Sequence, residues 1–200
     1  MMASGEKAIG LFGGTFDPVH NGHLAVAQSY LNSGFIDELW VVLTPDPPHK
    51  AGRELSRYEL RKEMLEQAFA GMSRVTITDV ETRLPRPSYT IQTVRYLAER
   101  YGDYSFYLCI GEDSLVDFER WYKWEEILEH CDLLVARRPN TEINPVNSKI
   151  SRHAHFIEHS PVEVSSSELR EKISRNEEVS NQIPDAVRKT IHKHRLYQNY

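Results

Sequence analysis

The run Gly10-Leu11-Phe12-Gly13-Gly14-Thr15-Phe16-Asp17-Pro18-Val19-His20-Asn21-Gly22-His23 holds the densest cluster of groups able to handle phosphate. An apolar strand ends at Phe12, and Gly13 and Gly14 then let the backbone approach a ligand with no Cβ between them. Thr15 and Phe16 continue that turn and are counted with its candidate ligand-binding groups. Pro18 stops the strand geometry. A helix starts near Asn21 or Gly22, with Leu24, Ala27, Tyr30 and Leu31 as its buried side. His20 and His23 are three apart, so they can point to one side of its first turn. The N–H groups and positive dipole end of a helix N-terminus suit an anion. A lone Gly-Gly is usually only a turn, and two histidines at this spacing are by themselves more often surface or metal-binding. Zinc would want three or four ligands, and no third one stands at a convincing distance in the sequence. The whole combination is far rarer than its parts and points to phosphate.

A second segment, Val164-Ser165-Ser166-Ser167-Glu168-Leu169-Arg170, offers matching groups. Ser165 and Glu168 have capping-box spacing, which crowds three hydroxyls at a helix start. Arg170 sits one turn further in. Alone this is a plain helix cap. Beside the first segment it reads as a second anion site, with Ser166, Ser167 and Arg170 suited to β- and γ-phosphates.

Something must bring these segments together. Short β-branched or aromatic runs recur at 8–12, 39–43, 75–78, 106–110 and 133–136, with a weaker one at His155–Ile157. Helical patterns lie between several of them. Residues 57–69 carry Leu60, Met64, Leu65 and Ala68 behind a Ser56/Glu59 capping box. Residues 90–101 carry Ile91, Val94, Leu97 and Tyr101, and Pro184 opens a helix bearing Val187 and Ile191. Alternation of this kind predicts an α/β fold with a mainly parallel sheet, which binds ligands at the carboxyl ends of its strands. Segments 44–56 and 138–152 read as surface loops. No repeat or linker divides residues 1–200, so we expect one domain, its C-terminal helical part at about 165–200 carrying the second motif.

A formal net charge of −5 speaks against a general attraction to nucleic acid or anionic membrane. The two cysteines, Cys109 and Cys131, read as reduced thiols. Met1–Lys7 lacks the apolar stretch of a signal peptide, and no run approaches the ~20 residues that span a bilayer. We therefore expect a cytoplasmic protein. The seven other histidines, His153, His155 and His159 among them, show no ligand pattern and read as surface residues.

The first segment resembles the nucleotidyltransferase superfamily whose signature contains His-x-Gly-His, here His20-Asn21-Gly22-His23. The resemblance implies a Rossmann-like three-layer α/β sandwich, with both histidines on the phosphates of a nucleoside triphosphate. That superfamily carries an Ile-Ser-Ser-Thr-x-x-Arg-like element where Val164–Arg170 stands, with Val164 for Ile and Ser167 for Thr. Further stretches are similar to one branch, the bacterial nicotinate-nucleotide adenylyltransferases. Pro47-Pro48-His49-Lys50 implies that Lys50 holds the acceptor phosphate. Pro87-Ser88-Tyr89-Thr90 and Arg120-Trp121-Tyr122-Lys123-Trp124 imply that Thr90 and Trp121 form the nicotinate pocket; Tyr89 and Trp124 read as core. Gly111-Glu112-Asp113 and Arg138-Pro139 resemble the elements that meet adenosine, which implicates Gly111, Asp113 and Arg138, although Asn140 stands where Gly is usual.

The resemblance implies AMP transfer from ATP to nicotinate mononucleotide, giving nicotinate adenine dinucleotide and pyrophosphate in NAD biosynthesis. Phosphopantetheine adenylyltransferases, which usually carry Thr where His20 stands, and cytidylyltransferases, which lack Pro-Ser-Tyr-Thr, are the nearest alternatives. A non-catalytic nucleotide sensor is the alternative of another class. The acceptor phosphomonoester has a second pKa of about 6, so it attacks largely as the dianion and needs no general base. His20, His23 and Arg170 are expected to stabilise the transferring phosphates, with Mg²⁺ arriving on ATP rather than in a protein cage. Closure of loop 44–56 would keep water out.

Overall fold

A computed structural model describes residues 7–48, 55–139 and 147–198. Six strands form one parallel sheet: β1 (Lys7–Gly14), β2 (Glu38–Leu43), β3 (Val75–Thr78), β4 (Tyr104–Gly111), β5 (Asp132–Arg137) and β6 (Ala154–Glu158). Each contains one of the apolar runs. Their order is β3-β2-β1-β4-β5-β6. The chain works outward from β1 to β3, then crosses back to lay β4 beside β1, pairing Ile9 with Phe106 and Leu11 with Leu108. That reversal is where an open parallel sheet parts its connections and leaves a crevice at the strand ends.

Both faces of the sheet are covered, and the pleat sorts the side chains between them. Leu133 and Val135 join Ile9 and Leu11 in one apolar cluster, under α3 (Thr90–Arg100), α4 (Glu112–Val116), α5 (Trp124–Leu128) and α6 (Ser148–His153). Leu134 and Ala136 join the other cluster, which also takes Ala27, Tyr30 and Leu31 of α1 (Asn21–Asn32) and Met64, Leu65 and Phe69 of α2 (Tyr58–Phe69). Leu24 is only partly buried beside them. α7 (Ser166–Ser174) and α8 (Asp185–His194) close this second face. Gly10 is glycine for a packing reason, since a Cβ there would lie 2.6 Å from Ile36 Cδ1 and 2.9 Å from Cys109 Sγ.

Four local expectations are corrected. The Ser56/Glu59 capping box does not form: α2 is capped at Arg57 with no side-chain hydrogen bond. The backbone of Ser56 is engaged elsewhere, its N–H donating to Asp17 and its carbonyl accepting from Arg61. Segment 138–152 is not loop throughout, because Asn147 caps α6 through the Lys149 N–H and Ile150 anchors that helix in the core. Pro184 is the residue just before α8 rather than within it. His153, His155 and His159 are partly buried and partnered: Asp132 lies 2.8 Å from His153 Nδ1 and 3.0 Å from His155 Nε2, and Ser29 Oγ lies 3.0 Å from His159 Nδ1. Among the described residues, no helix is long and apolar enough to cross a membrane.

Candidate active site

His20 is the residue that caps α1, and its extended backbone (φ −147°, ψ 171°) turns the chain into the helix. Its N–H donates to His23 Nδ1 at 3.1 Å, and the two rings stack with centroids 3.6 Å apart. A neutral imidazole that accepts at Nδ1 must carry its proton on Nε2, so His23 is set as an Nε2–H donor. Gly22 makes this arrangement possible, because a Cβ there would lie 3.0 Å from His20 Nδ1 and 3.1 Å from Val164 Cγ1. His20 is only 7% exposed, and burial pushes its pKa down to about 4, which keeps it neutral at pH 7. Its Nδ1 is buried with no hydrogen-bond partner among the described residues. The N–H of Asn21 is taken by Gln182 O at 2.9 Å, which narrows the anion-binding capacity of this helix end.

Phe16 adopts a left-handed backbone (φ 46°), and its ring is buried against Phe12 and His23. That ring is why position 14 carries no side chain: a Cβ on Gly14 would lie 3.0 Å from it. Phe16 therefore shapes the turn from behind.

The serine segment reaches the same turn. Ser166 Oγ donates to Pro18 O at 2.9 Å, and Arg170 Nη1 donates to Asp17 O at 2.5 Å. Arg170 Nη2 donates to Ser167 Oγ at 3.0 Å, while Ser165 caps α7 through the Glu168 N–H. The two segments thus meet, through contacts with backbone carbonyls that sequence reasoning had no means to foresee. Arg170 is 2% exposed.

Beside this corner lies a cavity of about 340 Å³ at the carboxyl ends of β1, β2 and β4. Gly13, Gly14, Thr15 and Gly111 line one side of it, and Thr90 and Trp121 another. Tyr89 lines it too, 4.7 Å from the Tyr122 ring, so Tyr89 is more than a core residue. Trp124 packs against Phe118 as a core residue should. Glu81 and Ser88 also stand in the wall and were not anticipated. Glu81 is 7% exposed, accepts from Thr93 Oγ1 at 2.9 Å, and has its carboxyl pKa raised by burial. The described lining contains no Lys, Arg or His.

Two assigned residues sit further out. Asp113 is exposed in the first turn of α4. Arg138 is exposed, pairs with Glu163 at 3.2 Å, and its N–H donates to Glu112. Lys50 and Asn140 lie outside the described residues. A further residue escaped sequence reasoning altogether: Arg61 is 1% exposed and binds the carbonyls of Thr15 and Thr44. Its signal was available, since 61 falls in helical register with Met64, Leu65 and Ala68.

Known proteins resemble this chain in sequence and in fold. A sequence model of the cytidylyltransferase-like family matches residues 11–172. A probable nicotinate-nucleotide adenylyltransferase of Pseudomonas fluorescens is 35% identical, over 96% of this chain and 98% of that protein. Another so named, from Bacillus licheniformis, is 35% identical over 96% and 99%. Among solved structures, the Plasmodium falciparum nicotinic acid mononucleotide adenylyltransferase complexed with APC superposes with a TM-score of 0.79 at 21% identity, covering 98% of this chain and 99% of that one. The same enzyme complexed with NaAD gives 0.77. At that identity the likeness establishes the fold, while the sequence relatives establish the lineage. The chain belongs to the cytidylyltransferase-like family of nucleotidyltransferases and, within it, to the nicotinate-nucleotide adenylyltransferases.

Proposed function

We propose that this protein transfers AMP from ATP to nicotinate mononucleotide, releasing pyrophosphate and forming nicotinate adenine dinucleotide. The observation that carries this reading is the junction at residues 13–20. One turn lines an aromatic-walled cavity at its start and presents two stacked histidines, latched to the serine segment, at its end.

In this reading the pyridine ring lies against Trp121. Its carboxylate faces Thr90 and the N-terminus of α3, whose dipole favours an anion. Lys50 holds the acceptor's phosphate. Gly111, Asp113 and Arg138 meet the adenosine, and Gly13, Gly14 and Thr15 bring backbone up to the triphosphate. His20 and His23 donate to phosphate oxygens as charge builds on the leaving group. Ser166, Ser167 and Arg170 stand with the β- and γ-phosphates, and Ser166 and Arg170 also hold the carbonyls that shape the turn.

An acceptor dianion attacks the α-phosphorus in line, forming the new P–O bond as the bond to pyrophosphate breaks. The work is alignment and charge stabilisation, with no proton to remove. Mg²⁺ enters as part of the ATP substrate. Among the described residues no group of three or more His, Cys, Asp or Glu converges; an ion arriving on ATP would take phosphate oxygens and water as its ligands.

The test is pyrophosphate release with MgATP against nicotinate mononucleotide, nicotinamide mononucleotide, phosphopantetheine and cytidylyl-transfer acceptors. Highest kcat/KM with nicotinate mononucleotide is expected. Preference for phosphopantetheine, or for CTP over ATP, overturns the assignment.

A further inference from the structure

Arg61 belongs to none of the segments assigned above, yet it is among the largest fully buried side chains in the protein. Its guanidinium is met by backbone carbonyls. Nε donates to Ser56 O at 2.9 Å, Nη1 to Thr15 O at 2.9 Å and to Thr44 O at 2.8 Å, and Nη2 to Pro45 O at 3.4 Å. Thr15 lies in the turn assigned to ATP. Thr44 and Pro45 begin the loop that follows β2, and Ser56 ends it. One planar group therefore fastens the ATP turn to both ends of the acceptor loop.

The surroundings reinforce this. Asp17, also buried, accepts from Ser56 N–H at 3.3 Å and from the Tyr197 hydroxyl at 2.6 Å, which places a carboxylate in the same knot. The Thr44 N–H donates to Gly14 O at 2.9 Å, a second tie between the same two segments. Gly14, Thr15 and Thr44 all line the reaction cavity. Anchoring α2 alone would need no charge, since Met64 and Leu65 serve that purpose on the same face. Satisfying four carbonyls at fixed spacing does need the fork of an arginine, which a lysine ammonium cannot reproduce.

We infer that Arg61 is a positioning residue for adenylyl transfer, its guanidinium setting the separation between the ATP turn and the acceptor loop. The inference rests on the site reading given above. In-line transfer depends steeply on that separation, and a displacement of about 1 Å can cost roughly 10²-fold in rate. Each substrate taken singly should bind almost as before, because Arg61 touches the loops and not the cavity.

The test compares Arg61→Lys and Arg61→Ala with Thr190→Val in the full chain. Thr190 ties α8 to Gln67 and Glu63 of α2, so its loss reports on general loosening of α2. Arg61→Lys should lower kcat by ~10- to 100-fold at saturating substrates, with the Kd of MgATP alone within about threefold. Added methylguanidinium should restore part of the kcat of Arg61→Ala, and ammonium should not. In hydrogen exchange, the Thr44 amide should lose protection in Arg61→Lys while the amides of α2 keep theirs. Thr190→Val should lower Tm and leave kcat within about twofold.

Wild-type kcat in Arg61→Lys overturns the inference. So does a rate loss matched by Thr190→Val at equal loss of Tm, or a change confined to KM. If wild type prefers another acceptor, the acceptor assignment fails while the kcat comparison is made with that acceptor. If wild type turns over none, both readings fall.

Discussion

Ser166 Oγ and the carbonyl of Pro18 lie 2.9 Å apart across 148 positions of sequence. The contact, doubled by Arg170 on the neighbouring carbonyl of Asp17, hangs the histidine turn on the N-terminus of α7. The position of the two histidines thus depends on a segment that touches neither ring through these bonds.

Removing this support should be felt in binding and stability together. Arg170→Lys keeps the charge but loses the fork that spans Asp17 O and Ser167 Oγ. Leaving a buried acceptor without its donor costs roughly 1–3 kcal/mol. We expect a lower urea midpoint, weaker MgATP binding and slower transfer, with acceptor affinity hardly moved. Because Ser166 and Arg170 hold consecutive carbonyls, Arg170→Lys with Ser166→Ala should be non-additive. Strict additivity in urea melts and in kcat/KM would argue that the two contacts act separately.

His23 carries a sharper expectation. Its Nδ1 accepts from the His20 N–H, which puts its own proton on Nε2, the donor assigned here to phosphate. His23→Ala should cost roughly 10²–10³ in kcat, the usual loss for one preorganised donor. Its Tm should stay near wild type, since the ring is only partly buried. Near-normal turnover, or inactivity explained by unfolding, would remove His23 from the phosphate site.

The acceptor pocket is tested through its aromatic wall. Trp121→Ala should raise the KM for nicotinate mononucleotide by about 5- to 100-fold, since losing a stacked aromatic face costs roughly 1–3 kcal/mol per base. KM for ATP should be unchanged. Comparable increases for both substrates would mean that Trp121 supports the fold and does not hold the ring.

His20 gives a pH signature. Its folded pKa, about 4, lies below the ordinary 6.5 because burial disfavours the imidazolium. The unfolded chain therefore binds the extra proton between about pH 4 and 6.5, and in that window stability rises with pH. Above about 6.5 the neutral ring is buried without this penalty, and below about 4 the penalty is complete, at most about 3 kcal/mol. His20→Gln should flatten the rise. The difference between wild type and variant must be taken, because the raised pKa of Glu81 contributes with the opposite sign. Parallel curves for the two proteins at pH 4.5 and 7 would show that His20 is not buried in solution as it is here.

Much of the fold is legible in the sequence. Short β-branched or aromatic runs bounded by turn residues located the six strands of the described sheet, because strands covered on both faces are rich in such residues. Glycine and proline around Phe12–Pro18 marked a turn leading into a helix near Asn21, because each of those residue types answers a local backbone need. Ser165 announced its helix for the same reason. What the tertiary structure alone decided is what those groups face. Arg61 is a surface-type residue by composition, and only the crossing of three chain segments gives its guanidinium four carbonyls. Ser56 had the spacing of a cap, yet Asp17 and Arg61 claimed its backbone from outside the helix. Glu81 became part of the cavity wall because a 3₁₀ turn at Val80–Arg83 packs beside β2. Backbone carbonyls are the same at every residue and leave no mark in a sequence, so contacts made to them from far along the chain are settled only when the sheet brings the segments together.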